Sequence, residues 1–188
     1  MLFRSLQRRI FDPLGMADAG FWVDGDRRTC FATVYGPAPS GGLVSVESES
    51  VPFTEQPRLL EGAVGLVSSV PDFLRFSQML ADGGTLGGTR LLPAATVARM
   101  TANGLPAEVL KGRGGRMGWG LGNVDVRMEA GDSGASIGEY GWDGTAGTIF
   151  WVNPNTETVV VLMTQSMPAN PDGVRQKFKA LVEQAVIQ

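Results

Sequence analysis

The chain contains no histidine, and its 188 residues include a single cysteine, Cys30. Without histidine, the Ser-His and Cys-His catalytic mechanisms are excluded, so any catalysis must use another general base. A lone cysteine cannot form an intrachain disulfide, and zinc and haem sites depend on clusters of cysteine and histidine. We therefore expect no metal and no cofactor, and we expect Cys30 to be a small buried apolar side chain.

Long basic runs and long apolar runs are also absent. The formal net charge is −3, which gives no electrostatic footprint for nucleic acid. No apolar stretch approaches the ~20 residues that span a bilayer, so no membrane partner is expected. Residues 1–10 lack the apolar core of a secretory signal, which predicts the cytoplasm by default and leaves the compartment of any parent protein open. Their arginines also fit a mitochondrial presequence, but a short amphipathic helix is preferred because folded-looking sequence follows directly.

The first third of the chain alternates short ordered patterns with stretches rich in glycine and proline. The opening helix is predicted to end before Pro13, which lacks an N–H and disfavours a helical residue ahead of it. Residues 21–23 and 29–35 have the β-prone composition of strands. Residues 36–56 are rich in Gly, Pro, Ser and Glu without a steady period, which predicts a long loop that lines a substrate entrance or is disordered.

Helical signals dominate between about residues 62 and 105. Ser69 and Asp72 resemble a helix start, with a hydroxyl cap and an acidic residue three positions later. A second short helix is predicted to begin near Pro93, with Val97 facing inward. This part of the chain is therefore expected to form a helical insertion.

Residues 117–188 predict a sheet closed by a helix. Residues 124–128 alternate as a half-buried strand does. Two β-prone runs, 148–152 and 158–163, are separated by an Asn-Pro-Asn turn, which predicts a hairpin. A last helix is predicted from Asn170, with one apolar face that packs on this sheet. The members of that face are Val174, Phe178, Leu181, Val182 and Ala185.

The order of these elements predicts one α+β domain over residues 1–188, with a largely antiparallel sheet. Trp119 and Trp151 are interpreted as core residues. Glycines at positions 138, 141, 144 and 147 lie in front of the predicted hairpin. Because a missing side chain lets another group approach the backbone closely, we expect these glycines to provide clearance for a bound group.

Several phrases occur along the chain in a recognisable order. They are Phe11-Asp12-Pro13-Leu14-Gly15-Met16, Gly65-Leu66-Val67-Ser68-Ser69 with Asp72-Phe73-Leu74-Arg75-Phe76, Leu91-Leu92-Pro93, Gly118-Trp119-Gly120-Leu121-Gly122 and Gly141-Trp142-Asp143-Gly144-Thr145-Ala146-Gly147. The set resembles the C-terminal half of a serine β-lactamase-like family, the group of class C β-lactamases, penicillin-binding proteins and carboxylesterases. The resemblance implies an antiparallel sheet flanked by terminal helices, with an all-helical insertion. It also implies hydrolysis of an ester, an amide or a β-lactam.

Catalysis in that family uses a Ser-x-x-Lys motif, a Tyr-x-Asn or Tyr-x-Ser element, and a third motif at a strand edge. The only lysines here are Lys111, Lys177 and Lys179, and none follows a serine by three positions. Tyr35 and Tyr140 are followed by Gly-Pro and Gly-Trp. In the family the two missing motifs precede the Phe-Asp-Pro-Leu-Gly-Met phrase, so we expect an incomplete domain that is inactive alone.

The third motif is present by position as Trp142-Asp143-Gly144. Tryptophan replaces the lysine that would hold a substrate carboxylate, which favours neutral esters over penicillins and cephalosporins. Asp143 would repel an anionic substrate or cap a turn, and the main-chain N–H of Thr145 is the candidate oxyanion donor. Tyr140 is a candidate pocket residue, although a buried sheet tyrosine is the commoner outcome. The alternative is that this segment is only a glycine-rich entrance to a strand.

Two hypotheses from different classes follow. In the first, the chain is the rear portion of a serine hydrolase whose nucleophile and base come from elsewhere, with a small ester or amide as substrate. In the second, it is a non-catalytic module that binds a ligand or a partner. The first therefore needs a complementing chain, and the second predicts a homo-oligomer, because a fold without its front portion leaves apolar surface uncovered.

Overall fold

A five-stranded antiparallel sheet, in which the last five strands of the chain lie side by side in chain order, is the centre of the fold. The computed structural model of the chain describes residues 2–46, 53–60, 65–130, 136–169 and 171–186. The helices are α1 (Leu2–Leu6), α2 (Asp12–Leu14), α3 (Val70–Ala81), α4 (Ala94–Met100), α5 (Ala107–Gly112) and α6 (Val174–Val186). The strands are β1 (Tyr35–Pro37), β2 (Leu43–Ser45), β3 (Thr85–Leu86), β4 (Thr89–Arg90), β5 (Met117–Trp119), β6 (Asp125–Arg127), β7 (Tyr140–Asp143), β8 (Ile149–Asn153) and β9 (Thr158–Leu162). No helix in these described ranges is long and apolar enough to cross a membrane.

The predicted hairpin is formed by β8 and β9, which pair from Ile149 with Leu162 to Asn153 with Thr158. The Asn153 side chain shapes the turn, because its Oδ1 accepts hydrogen bonds from the N–H groups of Asn155 at 3.0 Å and Thr156 at 3.4 Å. Such an asparagine bond to the main chain two residues ahead replaces a strand partner and reverses the chain. The sequence prediction of this hairpin is confirmed.

One face of the sheet carries the apolar core. Alternate residues of β6, β7 and β8 point to the side on which α3 packs. Phe73 of α3 contacts Phe150 of β8 with ring centroids 5.1 Å apart. The buried members of this core are Phe11, Leu14, Met16, Met79, Leu80, Val97, Val124, Val126, Tyr140, Phe150 and Val152. This face, which we call the insertion face, therefore joins the N-terminal helices and the insertion to the sheet.

The opposite face, which we call the α6 face, is covered by α6 and is rich in charge. Phe178 packs on Trp151, with ring centroids 6.1 Å apart. Lys179 lies over the same ring at 4.4 Å from its centroid and is ion-paired with the buried carboxylate of Glu139. Glu183 is also buried, and one of its carboxylate oxygens lies 3.7 Å from the Lys179 Nζ. A cation thus sits between two buried carboxylates and an aromatic ring on this face.

The α+β prediction with an antiparallel sheet between helices is confirmed. The insertion contains α3 and α4, as predicted, and Val97 is buried. It also contains a short hairpin of β3 and β4, so this part of the chain is not purely helical. The division at residues 62–105 and 117–188 stays a prediction.

The opening helix continues past Pro13, contrary to expectation. A π-helical turn over Gln7–Phe11 joins α1 to α2, and the helix ends at Gly15 in the left-handed conformation, with φ of 65°. Because a π turn shifts the main-chain hydrogen bonds by one residue, a proline near it need not break the helix. Glycine accepts this positive φ without strain.

The predictions for the next segment are largely wrong. Residues 21–23 form no strand, and Gly25–Cys30 form a 3₁₀ helix instead of the start of a strand over 29–35. Cys30 is exposed, because this surface helix contributes no buried residue. Residues 36–56 include the β1–β2 hairpin, while residues 47–52 lie outside the described residues. Local composition did not reveal these turns.

The start of α3 is correctly placed, but its polar contacts differ from the prediction. Ser69 occupies the N-cap position, yet its hydroxyl is buried and makes no hydrogen bond within the described part of the chain. The buried Asp72 carboxylate instead accepts a hydrogen bond from the main-chain N–H of Asp18 at 2.6 Å. This bond ties the insertion to the segment that follows α2.

Candidate functional site

The candidate site lies where β7 extends past the end of β6. β6 pairs with β7 only at Asp125 with Gly141 and at Val126 with Tyr140. On its other side β7 pairs with β8 as far as Asp143 with Ile149. Among the described residues, Trp142 and Asp143 therefore have a strand partner on one side only, and their other side is an open sheet edge. An open edge of this kind offers main-chain hydrogen-bonding groups to a bound molecule.

A tight turn follows this open edge. The N–H of Gly144 donates to the carbonyl of Thr148 at 2.8 Å, and the N–H of Gly147 donates to the carbonyl of Gly144 at 3.1 Å. Thr145 is exposed at the second position of the turn. No main-chain carbonyl within the described ranges accepts a hydrogen bond from the Thr145 N–H. That donor is therefore available to a group that approaches the edge.

The sequence predicts that the glycines around this turn provide clearance for a bound group. The structure shows that they do not. A Cβ at Gly141 would collide with the main chain of Phe150 and Trp151. A Cβ at Gly144 would collide with the side chain of Thr148. The space that these glycines leave is filled by β8 and by the turn itself, so they permit close strand packing rather than ligand entry.

Arg175, in the first turn of α6, holds the β7–β8 turn from the α6 face. Its Nη1 donates to Asp143 Oδ2 at 2.8 Å, and its Nη2 donates to the carbonyls of Thr148 at 3.1 Å and Gly144. The Arg175 side chain is only 12% exposed. One planar guanidinium with several donors fixes a carboxylate and two carbonyls at once. Asp143 therefore anchors the turn to α6, and its charge is compensated.

Trp142 and Trp119 form an aromatic wall beside the open edge. Their ring centroids are 4.9 Å apart and their planes meet at 89°, an edge-to-face contact. Trp142 is 45% exposed. Trp119 is half-buried, so the interpretation of Trp119 as a core residue is wrong, whereas Trp151 is buried as expected. Exposed aromatic rings of this size offer an apolar surface with a polar N–H at its rim.

Two ionisable groups near the aromatic wall have a pKa above the ordinary value. Burial raises the pKa of Tyr140 to about 12, so the phenol stays protonated at neutral pH and is unsuited to act as a base. Desolvation also raises the pKa of Asp125, with a further increase from the Asp143 charge and an opposing effect of Arg113. Tyr140 is a buried core residue on the insertion face, as the commoner interpretation expected.

The structure thus brings Trp142, Asp143, Gly144 and Thr145 together at one strand end and places Tyr140 in the core beneath them. Sequence reasoning did not identify Arg175 or Asp125. Arg175 is far from the motif in sequence, and no local pattern marks its contacts. Asp125 occupies an unremarkable position in an alternating strand, and its place beside Asp143 follows only from the strand register.

Comparisons with known proteins were consistent with one another. The family model described as Beta-lactamase matches residues 2–184. Protein Rv1367c of Mycobacterium tuberculosis is 28% identical over 177 residues, which cover 89% of this chain and 44% of that protein. Simvastatin synthase (LovD) from Aspergillus terreus superposes with a TM-score of 0.82 at 18% identity, covering 98% of this chain and 49% of the other. EstCE1 gives a TM-score of 0.69 at 19% identity, covering 100% and 51%. The chain spans about half the length of these proteins.

Proposed function

The chain belongs to the Beta-lactamase family, and from this premise we propose that it supplies the strand-edge wall of a serine hydrolase site. Its role there is to bind the carbonyl of a neutral ester or amide substrate. The nucleophilic serine, the lysine that activates it and the tyrosine element come from residues outside this sequence. The isolated chain is then inactive as a hydrolase.

The observation that carries this proposal is the free Thr145 N–H beside an open strand edge. Acyl transfer from a carbonyl creates an oxyanion, which preorganised N–H donors stabilise. The Thr145 N–H is exposed at the end of β7 and has no main-chain acceptor in the described part of the chain. Arg175 holds the flanking carbonyls, so the turn is fixed before a substrate binds. A donor that needs no reorganisation is the kind that lowers a transition-state energy.

The side chains around the edge favour a substrate without a carboxylate. Trp142 stands where a lysine would pair with one, and the carboxyl group of Asp125, whose pKa is raised by desolvation, lies nearby. Arg175, the cation that holds the turn at this edge, is already bound to Asp143 and to main-chain carbonyls. An anionic substrate would meet a carboxylate and an aromatic surface, whereas an uncharged acyl group gains apolar contact with the two tryptophan rings.

The test uses one substitution that removes the donor and one that keeps it. Thr145→Pro deletes the N–H at the second position of the turn, where proline is well accepted, and Thr145→Ala leaves it. Each variant is mixed with a separate polypeptide made of the part of Protein Rv1367c that its match to this chain does not cover. Hydrolysis of a p-nitrophenyl short-chain ester is then measured.

We expect turnover with the wild-type chain and with Thr145→Ala, and a loss of about 10²–10³-fold in kcat with Thr145→Pro. Circular dichroism checks that both variants fold. The proposal fails if Thr145→Pro retains the wild-type rate. A fluorophosphonate probe tests whether the isolated chain is inactive, as proposed. Labelling of the isolated chain would show that it carries its own nucleophile.

The second candidate is a non-catalytic binding module, which the lack of a Ser-x-x-Lys motif in this sequence favours. In that case the Trp119–Trp142 wall binds an apolar ligand without chemistry. A neutral ester should change the tryptophan fluorescence of the wild-type chain, and Trp142→Ala should abolish the change. Binding without turnover in every mixture would favour this candidate over the hydrolase.

A further inference from the structure

The segment between α4 and α5 is bonded to the side of β5 that faces away from β6. We propose that Asn103 in this segment is a positioning residue for the aromatic wall of Trp119 and Trp142. By holding Trp119 in place, Asn103 sets how firmly the wall binds the apolar part of a substrate. The effect on substrate binding rests on the proposed function, whereas the effect on the two rings does not.

The Asn103 side chain takes the place of a strand partner for Trp119. Its Oδ1 accepts hydrogen bonds from the N–H of Trp119 at 3.1 Å and from the N–H of Leu105 at 3.0 Å. Its Nδ2 donates to the carbonyl of Leu105 at 3.3 Å, so the same amide also turns the chain. The carbonyl of Trp119 accepts a hydrogen bond from the N–H of Gly104 at 2.8 Å. Residues 103 and 104 therefore hold both main-chain groups of Trp119.

Two glycines on either side of Trp119 let this segment come so close. A Cβ at Gly118 would collide with the Asn103 side chain, and a Cβ at Gly120 would collide with the carbonyl of Met100. Missing side chains at these positions allow a second stretch of main chain to pack directly on the strand. The glycines that flank Trp119 in the sequence are thus explained by the approach of the segment after α4.

Trp119 supports the more exposed ring of the wall. The edge of one indole meets the face of the other, with centroids 4.9 Å apart, and Trp142 is 45% exposed. An exposed side chain keeps one position only when its neighbour is fixed, because it otherwise retains rotamer freedom. Loss of the Asn103 amide removes one of the two bonds that residues 103 and 104 make to Trp119. Both rings then gain freedom, and a wall that each ligand must order binds that ligand more weakly.

The test measures the geometry of the ring pair in the isolated chain by circular dichroism. Two indoles in contact couple their electronic transitions, and the resulting couplet depends steeply on their separation and angle. Trp119→Phe and Trp142→Phe should each abolish the couplet, which assigns it to this pair. Asn103→Ala should remove most of its amplitude. Asn103→Asp should retain the couplet, because it keeps an oxygen that accepts the Trp119 N–H.

Asn153→Ala is the matched control. The Asn153 Oδ1 also accepts two main-chain N–H groups and its Nδ2 donates once, but it lies in the β8–β9 turn, at the end of β8 away from the wall. Its loss should therefore leave the couplet unchanged. Gly118→Ala is a second route to the effect, because it displaces Asn103 without removing it. Urea unfolding confirms that each variant is folded, and Gly118→Ala decides the question if Asn103→Ala does not fold.

Kinetics in the mixture with the complementing polypeptide test the effect on substrate. Asn103→Ala should raise KM for the p-nitrophenyl ester by about tenfold and change kcat by less than about twofold, because the wall contacts the substrate in the ground and transition states alike. Thr145→Pro should instead lower kcat.

A couplet that persists in Asn103→Ala, or that Asn153→Ala weakens equally, overturns the proposal. So does a loss of kcat at unchanged KM in Asn103→Ala. If no mixture shows turnover, the hydrolase proposal fails, and the couplet still decides whether Asn103 positions the wall.

Discussion

The two faces of the sheet are held to their helices by different forces. On the insertion face, aromatic and aliphatic side chains pack together, with Phe150 and Val152 buried against α3 and its neighbours. On the α6 face, Glu139, Lys179 and Arg175 carry directed ionic contacts beside one aromatic pair, Trp151 and Phe178. Apolar burial is non-directional and scales with area, whereas an ion pair depends on the position of each atom. The insertion face should therefore supply most of the stability, and the α6 face should fix geometry.

The two faces of the sheet also differ in how completely other elements cover them. The apolar face is closed by the insertion within this chain. On the α6 face, Leu181 and Val174 of α6 are exposed, and among the described residues β9 pairs with β8 only. The candidate site lies between these regions, because β7 presents Trp142 on one face and Asp143 on the other. Arg175 connects the candidate site to the α6 face.

Removal of a ring from the insertion face should have the largest effect. Phe150→Ala is expected to lower the free energy of unfolding by about 3–5 kcal/mol, because it leaves a cavity beside Phe73 and Val152. Urea unfolding monitored by circular dichroism measures the change. Phe31→Ala is the matched control, since Phe31 is 36% exposed and lies outside this core. Equal losses in the two variants would contradict the assignment of stability to the insertion face.

Neutralising one buried carboxylate on the α6 face should have an intermediate effect. Glu139→Gln is expected to cost about 3 kcal/mol, because it leaves Lys179 and Arg127 without their shared partner. Glu183→Gln is the control: it should cost much less, because Lys179 keeps its closer contact with Glu139. Urea unfolding of both variants at neutral pH tests the order. A larger loss in Glu183→Gln would mean that α6, rather than the residue before β7, provides the essential carboxylate.

The sequence could predict elements that have a local pattern, but not polar contacts between distant segments. Alternation identified the strand around Val126, because burial on one face imposes a period of two, and two β-prone runs around an Asn-Pro-Asn turn identified the β8–β9 hairpin. The third motif was located through its resemblance to the family, and Trp142 and Asp143 lie at the end of β7. Contacts that join distant segments through polar atoms could not be predicted. Arg175 reaches Gly144, and Asp72 reaches Asp18, across separations that no local pattern reports.

Local signals also failed where the surrounding structure outweighed them. Pro13 signals a helix end, but the π turn ahead of it lets the helix continue to Gly15. Ser69 has the residue type of a hydroxyl cap, but its side chain makes no such bond in the part of the chain that the structure describes. Cys30 has the residue type of a core position, but it ends a surface 3₁₀ helix. In each case residue preference was correct on average and tertiary context decided otherwise.

The smallest expected effect concerns Asp125, at the rim of the α6 face. Desolvation raises its pKa above the ordinary value of 3.8 in the folded state. As the pH rises through this range the unfolded chain loses the proton first, so stability falls and the ionised carboxylate destabilises the fold at neutral pH. Asp125→Asn should therefore raise the free energy of unfolding at pH 7, by less than about 1 kcal/mol because solvent screens a half-buried group.

The gain from Asp125→Asn should disappear in acid, below the ordinary carboxyl pKa of 3.8, where Asp125 is protonated in both states. Thermal unfolding of the variant and the wild type at pH 7 and in acid measures the difference. Asp143→Asn provides the contrast, because Asp143 is ion-paired with Arg175 and its loss should destabilise the fold at pH 7. A gain that is the same at both pH values would place the effect in packing. The stability effects of Asp125 and Asp143, whose carboxylates are close enough to influence each other, would then differ because of side-chain packing and not because of charge.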